Sequence, residues 1–383
     1  MIIDDTETIQ KSLKEIALQR AESDSRNYHL LNLLNSENPT LPFDKENQYP
    51  SISPFDICHT MTEKQKMLAS VMVVMQSMQI SHVDGDFFRK YDDLIHMYYG
   101  NMEKLDSTLF QNDPYLQKIS LPLGREGDFL FAFQSYEKNR LFHYGEPVQY
   151  GYGDILRLAW FDENIKYPSV TKNGKYFSSI SADMILSSRS LIRPASQNVL
   201  ILGCGIGYLP YMIHRKESVS SVTIVDQDPD VIDLFENRIL PQFDHPEKIH
   251  IIHSDAYDYM KQDWQDQWVI DDCYSESMEG VASYLSMKKL EHLHPKTKYA
   301  YWIEESVLSN LKSALLIQAM TALFPDIPED SLLSDEEQGK NIVTQLKPFT
   351  DSLHITNGTQ LKKVFSSKGL RKYLPRAGAS LNK

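Results

Sequence analysis

Three glycines, Gly203, Gly205 and Gly207, and two aspartates, Asp226 and Asp255, are the residues of this chain whose types and spacing speak of chemistry. The glycines follow the apolar run Val199-Leu200-Ile201-Leu202 and precede the apolar-rich stretch from Tyr208 to Ile213. Val222-Thr223-Ile224-Val225 then stops at Asp226, and Ile249 to Ile252 runs up to Asp255. That order puts a glycine-rich turn and two carboxylates at the carboxyl ends of adjacent parallel strands, where open α/β sheets bind ligands. A glycine turn that opens a helix presents backbone N–H groups at the positive end of the helix dipole, a seat for an anion. Asp226 stands where a carboxylate can take both hydroxyls of a ribose, and Asp255 where one can meet the exocyclic amine of an adenine. The alternative is that both acids are helix N-caps after strands. The order of the three elements favours a nucleoside cofactor. The spacing is G-x-G-x-G, with Tyr208 where the dinucleotide fingerprint would want glycine, which leans away from NAD.

The elements that position these groups can be read on either side. Residues 6 to 36 have helical spacing, followed by a connector bearing Pro39, Pro42, Pro50 and Pro54. Thr60 to Glu63 reads as a capping box opening a Met-rich helix through about Gln79, whose stripe Met67, Val71, Val74, Met75, Met78 is packed core in preference to a ligand face. His82 to Asp86 has a passing likeness to a calcium loop, but lacks glycine at the sixth position and a terminal Glu. A further helix is expected over Phe87 to Tyr99. From Phe129 the chain turns aromatic and β-prone, and Asn173-Gly174 predicts a two-residue hairpin between Tyr167–Val170 and Tyr176–Ser178. Asp183 to Leu191 reads as a short helix. Beyond Asp255, strands at Trp268–Ile270 and Tyr299–Ile303 alternate with helices around Leu285 and over Val307–Leu323, the rhythm of a parallel sheet. Residues 326–340 are acidic and turn-like, and the tail from Lys368 is basic. The expected division is a mainly helical domain at 1–125, a β-rich connector with the hairpin at 126–190, a Rossmann-like domain at 191–325 and an extension at 326–383.

Composition bounds the partners. With 383 residues, 42% of them hydrophobic, the chain can bury a core and exceeds one average domain. Its 39 basic against 52 acidic residues give a formal charge of −13, which disfavours a phosphate-neutralising surface and hence nucleic acid. Cys58, Cys204 and Cys273 lie far apart with no C-x-x-C pair, so neither a disulfide framework nor a metal site is expected. The acidic N-terminus does not read as a signal peptide, and the longest greasy stretch, Met67 to Ile80, is too short for a bilayer. The expectation is a cytoplasmic protein without membrane contact.

Val199 to Met260 resembles the S-adenosylmethionine-binding half of class I methyltransferases, and within them the branch that includes spermidine synthases. The phrase Val225-Asp226-Gln227-Asp228-Pro229-Asp230-Val231-Ile232 resembles that branch's V-E-x-D-P-x-V-I, with Asp226 in the ribose-binding place. Apolar Ile201, two positions ahead of the first glycine where many methyltransferases have an acid, and the hairpin ahead of the sheet fit the same branch. Residues 155–310 further resemble bacterial methyltransferase-like proteins of unassigned substrate; the first 150 carry no such resemblance.

The resemblance implies an α/β fold, a Rossmann-like sheet preceded by a helical region and the hairpin. It implies S-adenosylmethionine as cofactor, held by Gly203, Cys204, Gly205, Gly207, Asp226, Gln227, Asp255 and Ala256. Two departures from the branch matter. Ile206 stands where aminopropyltransferases carry an Asp. Asp271 fits the first acid of their D-x-x-D pair, but Tyr274 stands at the second. On those departures the leading expectation is a methyltransferase acting on a small molecule or peptide, with the N-terminal region as lid or dimerisation element and a homodimer in view. The alternatives are aminopropyl or aminocarboxypropyl transfer of the spermidine-synthase type, and a non-catalytic cofactor-binding scaffold. Methyl transfer needs in-line positioning and a base when the nucleophile arrives protonated. Asp271 and Asp272, then Tyr274 and Glu304, are the candidates for base or amine-orienting group. Cys273 has no neighbouring His in sequence to make it a nucleophile, and no N-P-P-Y-type motif is present.

Overall fold

Strands buried on both faces must be apolar at every position, and that is how the central sheet of the computed structural model arises. The structure describes residues 1–37, 41, 62–77, 91–274, 276–327, 336–351 and 353–380. The connector prolines, the Thr60 end of the capping box, Met78 and the His82–Asp86 segment lie outside them.

Thr6 caps helix α1 (Glu7–Asn32) by accepting from the Ile9 N–H at 3.3 Å. The stripe Ile9, Leu13, Ile16 is buried. In α2 (Glu63–Ser77), Val71, Val74 and Met75 are fully buried among Leu30, Ile95, Tyr98 and Trp160, so the Met-rich stripe is core. α3 (Asp92–Tyr99) packs beside it. Asp113 caps the short α4 (Pro114–Lys118), accepting from the Leu116 N–H at 3.0 Å, with Pro114 at the first helical position.

An antiparallel sheet follows, in the order β4-β3-β2-β1, from β1 (Gly124–Glu126), β2 (Phe129–Tyr136), β3 (Ile165–Lys172) and β4 (Lys175–Ser179). The β3–β4 turn is the expected two-residue one, Asn173 and Gly174 at φ 52° and 78°. The predicted helix from Asp183 to Leu191 is two shorter ones, α5 (Ala182–Ser187) and Arg189–Ile192, parted at Ser188.

The parallel sheet has the order β7-β6-β5-β8-β9, from β5 (Gln197–Leu202), β6 (Val219–Asp226), β7 (Ile249–His253), β8 (Trp268–Asp271) and β9 (Lys298–Tyr301). Ile201 pairs with Ile224 on one side and Ile270 on the other. Val199 and Ile201 face a core shared with α6 (Tyr208–His214), α7 (Pro229–Leu234), Phe129 and Phe131. Leu200 and Leu202 face the opposite core, shared with Leu13, with Met260 of α8 (Ala256–Met260) and Tyr284 of α9 (Ser277–Leu290), and with Leu311 of α10 (Glu304–Leu323). The fold is α/β and Rossmann-like, with a helical region and a hairpin ahead of the sheet.

The helix expected from Val307 begins at Glu304, because the strand ends early and Ile303 turns the chain in a left-handed conformation, φ 45°. The C-terminal stretch, read as weakly patterned, carries α11 (Glu336–Thr350), α12 (Gly358–Val364) and α13 (Ser367–Ser380), whose Leu346, Leu361 and Leu374 join the second core. Ile2–Ile3 pairs in parallel with His354–Ile355. No helix among the described residues is long and apolar enough to cross a membrane.

Candidate active site

A cleft of about 440 Å³ opens at the carboxyl ends of β5, β6 and β8, the place where an open parallel sheet leaves a crevice. Its floor is the glycine turn. Gly203 takes φ 94°, and a Cβ there would lie 2.4 Å from the Asp272 carbonyl oxygen, so the β5 turn and the β8 loop meet backbone to backbone. Gly205 takes φ 53°, and a Cβ there would meet nothing within 4 Å. Both glycines line the cleft.

The turn spends much of its donor capacity internally. Gly203 N–H donates to the Val225 carbonyl (2.8 Å), Cys204 N–H to Asp226 Oδ2 (2.8 Å) and Gly207 N–H to the Cys204 carbonyl (3.0 Å). α6 is only seven residues long. The anion seat expected from a glycine turn before a helix is therefore partly filled by the protein's own acceptors. Tyr115 of α4 donates its buried hydroxyl to the Ile206 carbonyl, and Tyr208 donates to Asp113 Oδ2 at 2.8 Å, so α4 braces the turn from behind.

The structure brings Gly203, Gly205, Asp226, Gln227, Asp255, Ala256, Asp272, Cys273 and Tyr274 to this one cleft. Asp226 also accepts from the Asp228 N–H at 2.9 Å, and burial raises its carboxyl above the ordinary value. Asp255 caps α8, accepting from the Tyr257 and Asp258 N–H groups at 2.9 and 3.0 Å, so the N-cap arrangement weighed in sequence is present at a residue that also faces the cleft. Cys204 is buried, and burial together with Asp226 holds its thiol well up.

The β8 acids part company. Asp271 is 1% exposed, and accepts from the Cys273 N–H at 3.3 Å and the Ser283 hydroxyl at 3.4 Å; burial pushes it up to about 6. Asp272 faces the cleft, its carboxylate meets no hydrogen-bond donor among the described residues, and burial, then Asp271, raises it well above the ordinary range. Tyr274 is 5% exposed and donates its hydroxyl to the Trp302 carbonyl at 2.5 Å. Glu304 accepts from Arg371 Nε and the Tyr284 hydroxyl, both at 2.7 Å, at the start of α10 and off the cleft lining. Cys273 is exposed on the same loop, and desolvation at the cleft wall, with Asp271 and Asp272 beside it, holds its thiol up.

Residues not singled out in sequence complete the walls. The hairpin contributes Tyr176, Phe177 and Ser178, α5 contributes Asp183, and Glu279 and Trp302 close the far side. Asp183 accepts from the Gly145 N–H at 2.5 Å, and burial raises its carboxyl. The hairpin was legible, but not which of its side chains would turn inward. Six carboxylates thus line the cleft (Asp183, Asp226, Asp228, Asp255, Asp272, Glu279), and among the described residues the lining includes no Lys, Arg or His.

With that geometry in place, comparison with known proteins gives a bounded result. Residues 179–293 match the family model described as the spermine/spermidine synthase domain. No curated protein matches the chain. Among solved structures, the chain is similar to spermidine synthase from Thermotoga maritima (14% identity, 55% of this chain and 76% of that one, TM-score 0.29). A spermidine synthase in complex with the transition-state analogue AdoDATO gives 15% identity over the same shares, TM-score 0.30. A precorrin 8W decarboxylase of Methanobacterium thermoautotrophicum gives 13% identity, TM-score 0.25; the match covers 32% of this chain and 63% of that one, under two thirds of its length. The spermidine-synthase likeness read from the glycine turn and Val225–Ile232 is thus matched over 179–293, and the methyl-transfer reading placed ahead of it is corrected: the model that fits the site is a spermine/spermidine synthase domain.

Proposed function

We propose that the cleft binds a sulfonium nucleoside, decarboxylated S-adenosylmethionine, and transfers its aminopropyl group to an amine. The observation that carries this reading is the lining itself: six carboxylates and, among the described residues, no basic side chain. A donor carboxylate would meet repulsion there, and the glycine turn, with the Gly203, Cys204 and Gly207 N–H groups engaged, has fewer donors left to offset it. A donor ending in an ammonium and an acceptor arriving as an ammonium are both attracted. The domain match over 179–293 supports the same reading.

In this assignment the turn from Gly203 to Gly207 lies under the nucleoside. Asp226, with Gln227, takes the ribose hydroxyls. Asp255 and Ala256 meet the adenine. Asp272 is the group that touches the acceptor: its unpartnered carboxylate draws the ammonium in and takes its proton. The freed nitrogen lone pair attacks the donor's carbon beside sulfur. The N–C bond forms as the C–S bond breaks, and that electron pair stays on sulfur, leaving neutral methylthioadenosine. Charge balances, since the sulfonium's positive charge passes to the alkylated amine. Tyr274, where the branch has its second acid, keeps its hydroxyl on the Trp302 carbonyl. Asp183 and Glu279 supply the remaining anionic wall, while Asp271 holds the β8 loop through Cys273 and Ser283.

The test is release of methylthioadenosine from decarboxylated and from carboxylated S-adenosylmethionine, with and without a panel of di- and polyamines. Amine-dependent release from the decarboxylated donor supports the assignment. Amine-dependent release from the carboxylated donor alone would sink it.

A further inference from the structure

Lys172 closes β3, one residue before the hairpin turn, and its side chain is half-buried. Its side chain is 16% exposed, with Nζ against Asp228 Oδ2 and 3.2 Å from Asp230 Oδ2. The same ammonium lies over the Phe129 ring, 5.2 Å from its centroid. Phe129 in turn meets Phe177 edge to face at 5.5 Å, and Phe177 is part of the cleft wall. On the other side, the Asp228 N–H donates to Asp226 Oδ1, and Asp228 caps α7 by accepting from the Asp230 N–H at 3.1 Å. One cation therefore joins the hairpin to the loop that aims the ribose-facing carboxylate. It also offsets part of the repulsion among Asp226, Asp228 and Asp230, three acids within five residues.

We infer that Lys172 is a positioning residue that latches the hairpin onto the Asp226–Asp230 loop and so closes the donor half of the cleft. This rests on the reading of the cleft as a nucleoside site. The latch acts through two carriers at once: Asp228 fixes the orientation of Asp226, and the Phe129–Phe177 contact fixes the hairpin wall. Removing the ammonium loosens both, and the loss falls on nucleoside binding because the acceptor-facing Asp272 lies on the loop after β8, apart from the Lys172 contacts with Asp228, Asp230 and Phe129. Lys172→Arg keeps charge and reach, and so keeps the latch.

The experiment is calorimetric titration of the full chain with 5′-methylthioadenosine, with amide hydrogen exchange over residues 165–179 read in the same samples. Lys172→Met is expected to weaken binding by about tenfold or more, and Lys172→Arg to stay within about threefold of the parent. The nucleoside should slow exchange of the hairpin amides in the parent and in Lys172→Arg, and not in Lys172→Met; a purely structural lysine would lower thermal stability without moving that difference. Asp230→Asn, at an exposed side chain, removes one arm alone and carries the test should Lys172→Met not fold; it should weaken binding by about two- to threefold. Equal nucleoside binding by the parent and these variants overturns the latch and leaves the function standing. Failure of the parent to bind any nucleoside overturns the functional reading and the latch with it.

Discussion

At the scale of single residues the proposed reaction rests on two acids, Asp272 and Asp226, which should fail differently when changed. Asp272→Asn keeps shape and polarity but cannot take a proton. It should lower kcat by about 100-fold or more while leaving methylthioadenosine affinity nearly unchanged. Asp272 must be ionised to accept the acceptor's proton, and burial raises its carboxyl, so parental activity should climb with pH through a raised acidic limb that the Asn variant lacks. A pH–rate profile showing the same limb in both would rule Asp272 out as the base. Asp226→Ala should weaken nucleoside binding by about 1.5–3 kcal/mol, the worth of hydrogen bonds to a charged group. Because Asp226 also holds the Cys204 and Asp228 N–H groups, the ribose contact is isolated by comparing adenosine with 2′,3′-dideoxyadenosine; the parent should discriminate between them and the variant should not. The glycines and the Asp226 and Asp255 positions were legible because each is a local pattern at a strand end. Which β8 acid would face the cleft was not, since alternation no longer fixes side-chain direction once the strand ends at Asp271. Lys172 was invisible as well, its partner lying 56 residues away in sequence.

At the scale of elements, the cleft is a parallel sheet's crevice walled by an antiparallel hairpin and braced by a five-residue helix. The hairpin announced itself through Asn173-Gly174, since both central residues must take positive φ and few other pairs do so cheaply. The parallel strands were legible as apolar runs stopping at acids. The C-terminal helices were not: Pro348 inside α11 and Gly369 inside α13 are poor helix formers, and it is tertiary burial of Leu346, Phe349, Leu370 and Leu374 that overrides them. The α4 brace was equally hidden, because a five-residue helix leaves no periodic signature. Its importance is testable at Tyr115, fully buried with its hydroxyl on the Ile206 carbonyl. Tyr115→Phe leaves that carbonyl without a donor and should cost about 1–3 kcal/mol of stability, read as a lower urea midpoint at unchanged slope. It should also weaken methylthioadenosine binding, because the carbonyl it anchors belongs to the turn proposed to lie beneath the nucleoside. A variant as stable as the parent would mean the hydroxyl does not brace the turn.

Over the whole molecule, the N-terminal half, the sheet and the C-terminal helices converge on one polar junction beside the cleft. Glu146 accepts from the Glu305 N–H in the first turn of α10, Arg371 of α13 reaches Glu304 at 2.7 Å and Glu305 at 2.6 Å, and Ser367 bridges Glu305 to Gln149 at 2.7 and 3.1 Å. Two carboxylates, Glu304 and Glu305, share one guanidinium there, with Glu146 held against the Glu305 N–H beside them. Burial first, with Glu305 and Glu304 adding repulsion, pushes Glu146 up from 4.5 to about 7, whereas Arg371 and the Ser367 hydroxyl hold Glu305 below its ordinary value. The sign of the pH dependence follows from linkage. Below pH 4.5 Glu146 is protonated folded and unfolded, and contributes no pH dependence. Between 4.5 and 7 the unfolded chain has released a proton that the folded chain still holds, so stability falls as pH rises. Above 7 both are ionised and the full cost is present, about 3 kcal/mol at most. Glu146→Gln retains an oxygen to accept from Glu305 and cannot ionise. Its stability relative to the parent should therefore grow between pH 5 and pH 8 by up to that amount, measured by urea unfolding at several pH values. The raised carboxyls of Asp271 and Asp272 slope the same way but are common to both proteins, so the difference isolates Glu146. A difference that stays flat across this range would mean that Glu146 ionises in the folded chain as it does in the unfolded one, and that the junction holds all three carboxylates charged.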